Sequence, residues 1–371
     1  GHWPHATPLA ARVGPPGGRQ EPPEFLSAGS DDLDQIPLGP VHGGIAAASH
    51  LRLTGRGATI VRLEARLGYT HKGTLTLMRG KSPRAAARFA ARLSAEATVA
   101  HGIAFARATE AALHCEIPPR ATALRDVMAE LERITVHLGD LGAAAGAAGV
   151  AVVSARCAVH AEAIRHAADL AFGHRLMMDC VIPGGVAADV APGGPEAIGR
   201  ALDSLADGLP ELQALHQAAP LAGYLAGIGV VMPAQVARFS AGGVIGRAAG
   251  RNLDGAGGGV TGDAAARAHI RLMDIAESIR LLRAHLNAVP EGTVSVPLPP
   301  DSGEGMGCSK AARGDIWHWL RLDHGQIASV FMRDPAWAQW PVLEAALAGQ
   351  QAEELPLILA SFGLTSSGVD L

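Results

Sequence analysis

A chain of 371 residues with 48% hydrophobic and 18% charged side chains is long enough to bury a substantial core and too apolar to be disordered. Its formal net charge of -4 and its 4% aromatic content give no electrostatic or stacking case for nucleic-acid binding. Cys115, Cys157, Cys180 and Cys308 lie far apart without a C-x-x-C pair, which excludes a disulfide scaffold and the local spacing of a zinc or iron–sulfur site.

Residues 1–33 are broken by Pro4, Pro8, Pro15, Pro16, Pro22 and Pro23. That spacing sustains neither a helix nor a central strand, so these residues read as an extended arm and residues 34–371 as one domain. Two strands follow, His50–Leu53 and Thr59–Arg66, the second alternating Ile60, Arg62, Glu64, Arg66 against Val61, Leu63, Ala65. From Pro83 the period becomes helical. Leu124, Val127, Met128, Leu131, Ile134, Thr135 and Leu138 form one stripe, with Arg125, Glu132 and Arg133 off it. Further helices are expected over Ala151–Phe172, closed by Gly173, over Pro195–Ala218, and over Asp263–Asn287, capped by Asp263. In the last of these Ile270, Met273, Ala276, Ile279, Leu282 and Leu286 mark the expected buried face. The Gly-rich stretch from Ala241 to Gly259 contains no G-x-x-x-x-G-K-[ST] and follows no strand, so it reads as loop rather than nucleotide cradle. Alternation returns at Thr293–Pro297, Asp315–Leu322 and Gln326–Phe331, before a helix near Trp337–Ala348. The fold class is mainly α (α+β): a helical core with small antiparallel sheets from the N- and C-terminal segments.

Several motifs occur in a telling order. They are Gly39-Pro40-Val41-His42; Arg66-Leu67-Gly68-Tyr69-Thr70-His71-Lys72-Gly73; Pro118-Pro119-Arg120-Ala121; Glu130 through Leu138; and Gly173-His174-Arg175 leading to Pro183-Gly184-Gly185-Val186. Together, from about Ile36 to Leu371, they resemble the superfamily of NiFe-hydrogenase large subunits and the 49-kDa, quinone-site subunit of respiratory complex I, NADH-quinone oxidoreductase. The similarity is greatest to the energy-converting, hydrogenase-related group. There a domain like another hydrophilic component of complex I, its C-type protein, is sometimes fused ahead, and Gly1 through Leu9 is similar to the tail of one.

The resemblance implies where a NiFe centre would sit, and that its ligands are missing. The family's two C-x-x-C pairs align with Ser94 and Ala97 and with Thr365 and Gly368. Hydroxyls and methyls cannot replace the soft thiolates that hold nickel and iron, so no directly bound metal and no hydrogen chemistry are expected. The complex I template implies a quinone cavity instead, and it too is incomplete. Its tyrosine aligns with Ala95, its histidine has His42 and His50 as candidates, and the aspartate orienting that histidine aligns near Ala147. Arg92 and Met177 align with positions facing an iron–sulfur cluster in a neighbouring subunit. Glu96, inside the former metal loop, is a candidate proton carrier. Plain structural roles compete with each of these. His101 and His137 read as core or cluster-facing histidines. Arg92, Arg120 and Arg133 read as partners in buried ion pairs with Glu64, Glu130 and Glu132, and Glu96 itself reads as a partner of Arg92 or solvent.

Two functions remain open at this level. One is a large subunit of a membrane-associated redox complex, taking electrons from a small iron–sulfur partner like that of complex I and delivering them to a quinone-like acceptor. The other is a non-catalytic scaffold that docks that partner and couples it to antiporter-like and H-type membrane proteins of the complex I kind. Either places the chain peripherally on the cytoplasmic side of the inner membrane, with any NAD handled elsewhere in the assembly.

Overall fold

The computed structural model of the chain describes residues 24–41, 48–251 and 261–371. An antiparallel sheet opens the fold, with β1 (Asp34–Leu38), β2 (His50–Arg56) and β3 (Thr59–Arg66) in sequential order. The β2–β3 pair is the one the alternation predicts. β1 is additional, its Ile36 and Leu38 registered on Leu53 and Leu51; it accommodates Pro37 because an edge strand has backbone N–H groups outside the ladder. Leu51, Leu53, Ile60 and Leu63 turn to the core. The other face carries His50 opposite Arg66 and Arg52 opposite Glu64. Part of the expected arm lies across that polar face. Arg62 donates to the carbonyls of Leu26 and Ser27 at 3.2 and 2.9 Å, and the Phe25 ring lies 4.5 and 5.1 Å from the Arg52 and Arg66 guanidiniums.

The helical body follows, as α1 (Thr74–Met78), α2 (Pro83–Ala90), α3 (Thr98–Ala112), α4 (Pro119–Ala147) and α5 (Ala151–Phe172). A short ribbon, β4 (Val181–Ile182) and β5 (Gly185–Val186), leads to α6 (Gly194–Gln217), α7 (Leu221–Leu225), α8 (Pro233–Phe239), α9 (Gly243–Ala248) and α10 (Ala264–Asn287). α4 is the axis, with α5 and α10 packed along it and α6 on α5. Small residues allow the approach: a Cβ on Gly142 of α4 would stand 3.1 Å from Cys157 Cβ and 3.4 Å from the Ser154 carbonyl of α5. Two punctuation signals are realised. Gly173 ends α5 at φ 74°, and Asp263 accepts from Ala266 N at 2.8 Å at the start of α10.

The chain finishes with a second antiparallel sheet, β6 (Gly303–Ala311), β7 (Gly314–Asp323) and β8 (Gln326–Arg333), then α11 (Ala336–Ala346) and α12 (Leu355–Phe362). Two expectations need correction here. The alternation at Thr293–Pro297 yields only an isolated bridge, Ser295 to Gly185, whereas β6 is a full strand without a sequence forecast. Its Gly303, Gly305 and Gly307 all face α3; a Cβ on each would meet the carbonyl oxygens of Ala112, Ala108 and Ala104 at 2.0, 2.2 and 2.3 Å. The glycines that weaken a strand reading are what let a helix backbone lie directly on the strand.

The polar stripes also differ from expectation. Arg125 and Glu132, placed off the α4 stripe, are buried, and so are Arg267 and Arg271 of α10, whereas Met273, assigned to the buried face, is 54% exposed. Each buried cation has acceptors from distant segments. Arg125 pairs with Glu110 at 2.6 Å and donates to the Ile182 and Gly185 carbonyls, and Arg267 donates to the Gly229 and Gly262 carbonyls and to Ser361 Oγ. Among the described residues no helix is long and apolar enough to cross a membrane. The architecture is mainly α with small antiparallel sheets from both ends.

Candidate functional site

Ser94 precedes a single 3₁₀ turn, Ala95–Ala97, that runs into α3, and Thr365 and Gly368 follow Gly363, the left-handed cap of α12. These two loops, over two hundred and fifty residues apart in the chain, face each other. Ser94, Ala97 and Thr365 line one cavity together with Glu96, Arg313 and Asp334. The fourth expected ligand position, Gly368, lies against Asp334: a Cβ there would stand 2.2 Å from Asp334 Cγ and 2.5 Å from its Oδ2. A carboxylate therefore fills the space that a side chain at position 368 would need. The remaining cavity is ≈ 20 Å³, measured as space open to the centre of a water molecule, enough for about one water.

Charged groups form the walls. Asp334 Oδ2 lies 3.1 Å from His101 Nε2, and His101 Nδ1 lies 2.9 Å from His318 Nε2, all three side chains buried. Burial alone would raise the Asp334 carboxyl, but His101, then the Ala336 backbone N–H, then Arg313 outweigh it and hold the carboxyl below its ordinary value. For His318, burial first and His101 second push the imidazole pKa well below 6.5, so this ring is neutral at pH 7. Arg313, also in the lining, donates to Asp140 Oδ1 at 2.7 Å, while Arg271 shares Asp140 Oδ2 at 3.3 Å. Against the burial that opposes it, Arg313 and Arg271 keep Asp140 ionised, with its pKa below the ordinary carboxylate value. Gly363 must be glycine here, because its φ is 68° and a Cβ would meet Asp140 Oδ2 at 2.5 Å.

Behind the first loop sits Glu132. Its carboxylate accepts from Val99 N at 2.6 Å and Ala100 N at 3.0 Å, closing the first turn of α3. Burial outweighs these bonds and Arg133, and with a contribution from Glu96 its pKa is pushed up to about 8. Lys72, from the Gly-Tyr-Thr-His-Lys-Gly motif, reaches both loops. Its ammonium donates to the Leu93 carbonyl at 2.6 Å and the Ser367 carbonyl at 2.5 Å.

The sequence candidates fare differently. Glu96 lines the cavity and accepts from Ser94 Oγ at 2.8 Å; it is not a partner of Arg92. His50 does not line the cavity. It packs edge-on against Phe25 with ring centroids 4.6 Å apart, while its neighbour Ser49 turns inward to Ser366 Oγ at 3.4 Å. Alternation at the start of β2 sends one residue to the C-terminal loop and the next to the outer face. His42 lies outside the described residues. Arg92 forms a bidentate pair with Asp179 at 2.5 and 2.7 Å on a partly exposed surface, not a buried pair with a glutamate. Met177 is buried at the base of the same loop, at φ 51°. Arg120 pairs with Asp189, and Arg133 with Glu130 at 2.9 Å as expected. His101 is a hydrogen-bonded core histidine. His137 is buried without a well-directed hydrogen bond, its Nε2 3.2 Å from Asp274. The acidic group missing near Ala147 has a counterpart two turns earlier, Asp140, which engages arginines instead of a histidine. Asp334, Arg313, His318 and Lys72 complete the site without a sequence signal of their own, and only Lys72 lies in one of the ordered motifs.

The donor set does not fit a NiFe centre. The cavity offers hydroxyls, carboxylates and a guanidinium, and Cys115, Cys157, Cys180 and Cys308 are all absent from its wall. Among the described residues no three His, Cys, Asp or Glu side chains converge as a metal site requires.

Two family models match overlapping stretches. Nickel-dependent hydrogenase covers residues 72–168, and the 49 Kd subunit of respiratory-chain NADH dehydrogenase covers residues 148–255. The carbon monoxide-induced hydrogenase of Rhodospirillum rubrum is 25% identical, over 88% of this chain and 96% of its own length. The membrane-bound hydrogenase subunit alpha of Pyrococcus furiosus is 25% identical, over 88% and 85%. NADH-quinone oxidoreductase subunit 4 of Thermus thermophilus is 23% identical, over 94% and 97%. In fold, a chain of the membrane-bound sulfane sulfur reductase, an archaeal respiratory membrane complex, superposes with a TM-score of 0.83 at 22% identity, covering 92% of this chain and 99% of that one.

Proposed function

We propose, for a chain that belongs to the superfamily of NiFe-hydrogenase large subunits and complex I 49-kDa subunits, a role as the large subunit of a membrane-associated redox complex. In it the chain docks a small iron–sulfur subunit and couples that subunit to membrane partners, without a NiFe centre of its own. One observation carries this reading: the Asp334 carboxylate stands against Gly368, and what remains of the metal cavity is ≈ 20 Å³. A quinone head group needs a pocket of a few hundred Å³, so the cavity's size favours docking and coupling over delivery of electrons to a quinone-like acceptor inside it.

The chemistry left to the pocket is electrostatic. Asp334, Glu96 and Arg313 line a space for about one water, Asp140 holds Arg313 from outside that lining, and Glu132 nearby holds a proton to about pH 8. Reduction of a cluster beside this wall would change the field on these groups, and a carboxyl that titrates near neutrality can answer by taking up a proton. The partly exposed pair of Arg92 and Asp179 supports the cluster-facing side, because the pair fixes the 173–180 loop to the end of α2. The peripheral, cytoplasmic-side position, the small iron–sulfur partner and the antiporter-like and H-type membrane partners belong to this same reading.

The test is purification of the native complex from membranes through a tag on the full chain, with a photoreactive quinone analogue added. Co-purification of an iron–sulfur subunit, with labelling absent from the 94–97 and 363–368 loops, is the expected result. Stoichiometric labelling of those loops, abolished by Glu96→Gln, would replace the docking reading with the acceptor reading.

A further inference from the structure

A metal held by ligands from two distant segments is also a cross-link between them, and its binding energy is folding energy. The thiolates for such a link are missing here, yet the 93–97 and 364–371 loops stand face to face. Lys72 supplies the contact. It enters from the turn between β3 and α1, which Gly68 and Gly73 shape at φ 83° and 66°. Its ammonium donates to the Leu93 carbonyl at 2.6 Å, the Ser367 carbonyl at 2.5 Å and Ser367 Oγ at 3.2 Å, which engages all three of its N–H groups. Its own backbone N–H donates to Asp370 Oδ1 at 3.2 Å, pinning the end of the second loop to the same residue.

The two carbonyls are in telling positions. Leu93 immediately precedes Ser94, and Ser367 immediately precedes Gly368, so the ammonium grips the backbone one residue before a former ligand position on each side. Burial is the largest influence and lowers the Lys72 pKa from its ordinary value, while Asp370, Asp334 and Glu96 oppose that shift and favour the cation. We propose that the Lys72 ammonium is the cation that holds the two former ligand loops together, a structural substitute for the metal cross-link. This rests on the reading of the site as metal-free. It concerns loop closure alone, so it is tested on the purified full chain without partners, and its failure would leave the docking role untouched.

Hydrogen exchange of the full chain and of its Lys72→Met, Lys72→Gln and Lys72→Arg variants reads the closure directly. Loss of a charged hydrogen-bonding hub should speed exchange at residues 364–371 and 93–97 by about ten- to hundredfold in the Met variant, with α4 unchanged. Gln should loosen the loops to an intermediate degree, and Arg, which keeps charge and donors, should stay closest to the parent chain. If the Met variant does not fold, the Gln and Arg variants decide. Loops that exchange in the Gln variant as in the parent, or that loosen as much with Arg as with Gln, would overturn the proposal.

Discussion

Glu132 makes the pocket's electrostatics measurable. In the folded chain its carboxyl titrates at about 8, against an ordinary value of 4.5, chiefly because burial disfavours the anion. Between those values the folded state keeps a proton that the unfolded chain has released. The unfolded state thus binds fewer protons, and stability falls as pH rises, by up to ~1.4 kcal/mol per pH unit. Across the whole window this amounts to at most ~5 kcal/mol. Glu132→Gln removes the titrating proton and keeps one acceptor oxygen, for Val99 N or Ala100 N, at the cost of the other bond. Urea unfolding of the parent chain and the variant at a series of pH values from about 5 to about 8 should show the variant gaining on the parent steadily with pH. Curves that run parallel over the range would refute a buried, proton-holding Glu132. Glu96→Gln, which removes a like charge, should lower the folded Glu132 pKa, so that the loss ends at a lower pH and is smaller.

Other consequences follow from the packing. Arg125→Met strands the Glu110 carboxylate in the core and should cost about 3–5 kcal/mol in thermal unfolding, much of it recovered by adding Glu110→Gln. Gly305→Ala drives a Cβ to 2.2 Å from the Ala108 carbonyl oxygen and should cost about 2–3 kcal/mol as α3 is pushed off β6. Gly139→Ala in α4, where a Cβ meets nothing within 4 Å, should instead stabilise by about 0.5–1 kcal/mol; equal effects at the two glycines would contradict the packing described. Asp263→Ala removes the acceptor for Ala266 N and Gly227 N and should lower stability by about 1–2 kcal/mol.

The long helices were legible because periodicity and caps are local signals. Ala151–Phe172 and the Asp263-capped helix appear where the pattern places them. What sequence reasoning missed depends on contacts between distant segments. β6 is hidden because its glycines answer to α3, nearly two hundred residues earlier. Arg125, Arg267 and Arg271 look like solvent-facing charges until Glu110, the Gly229 and Gly262 carbonyls and Asp140 are brought beside them, and Glu132, expected in a buried pair with an arginine, instead closes the start of α3. At the site, the alignment of Ser94, Ala97 and Thr365 with missing ligands led to residues that do converge. The groups that line the cavity or hold its loops instead, Asp334 and Arg313 in the lining and Lys72 on the loop backbone, come from a strand end, a hairpin and a turn with no spacing motif linking them. His50 was misplaced by a single residue of strand alternation, since Ser49 is the one that faces the C-terminal loop.

The central proposal is that charged side chains, Asp334 above all, take the place of a metal between the 93–97 and 364–371 loops, which Lys72 joins, so that no NiFe centre forms. The most direct test is nickel content per chain, by elemental mass spectrometry, in the native complex purified from cells grown with ample nickel. The account predicts nickel far below one atom per chain, with the complex intact. One nickel per chain, retained after gel filtration and lost on Asp334→Ala, would contradict it.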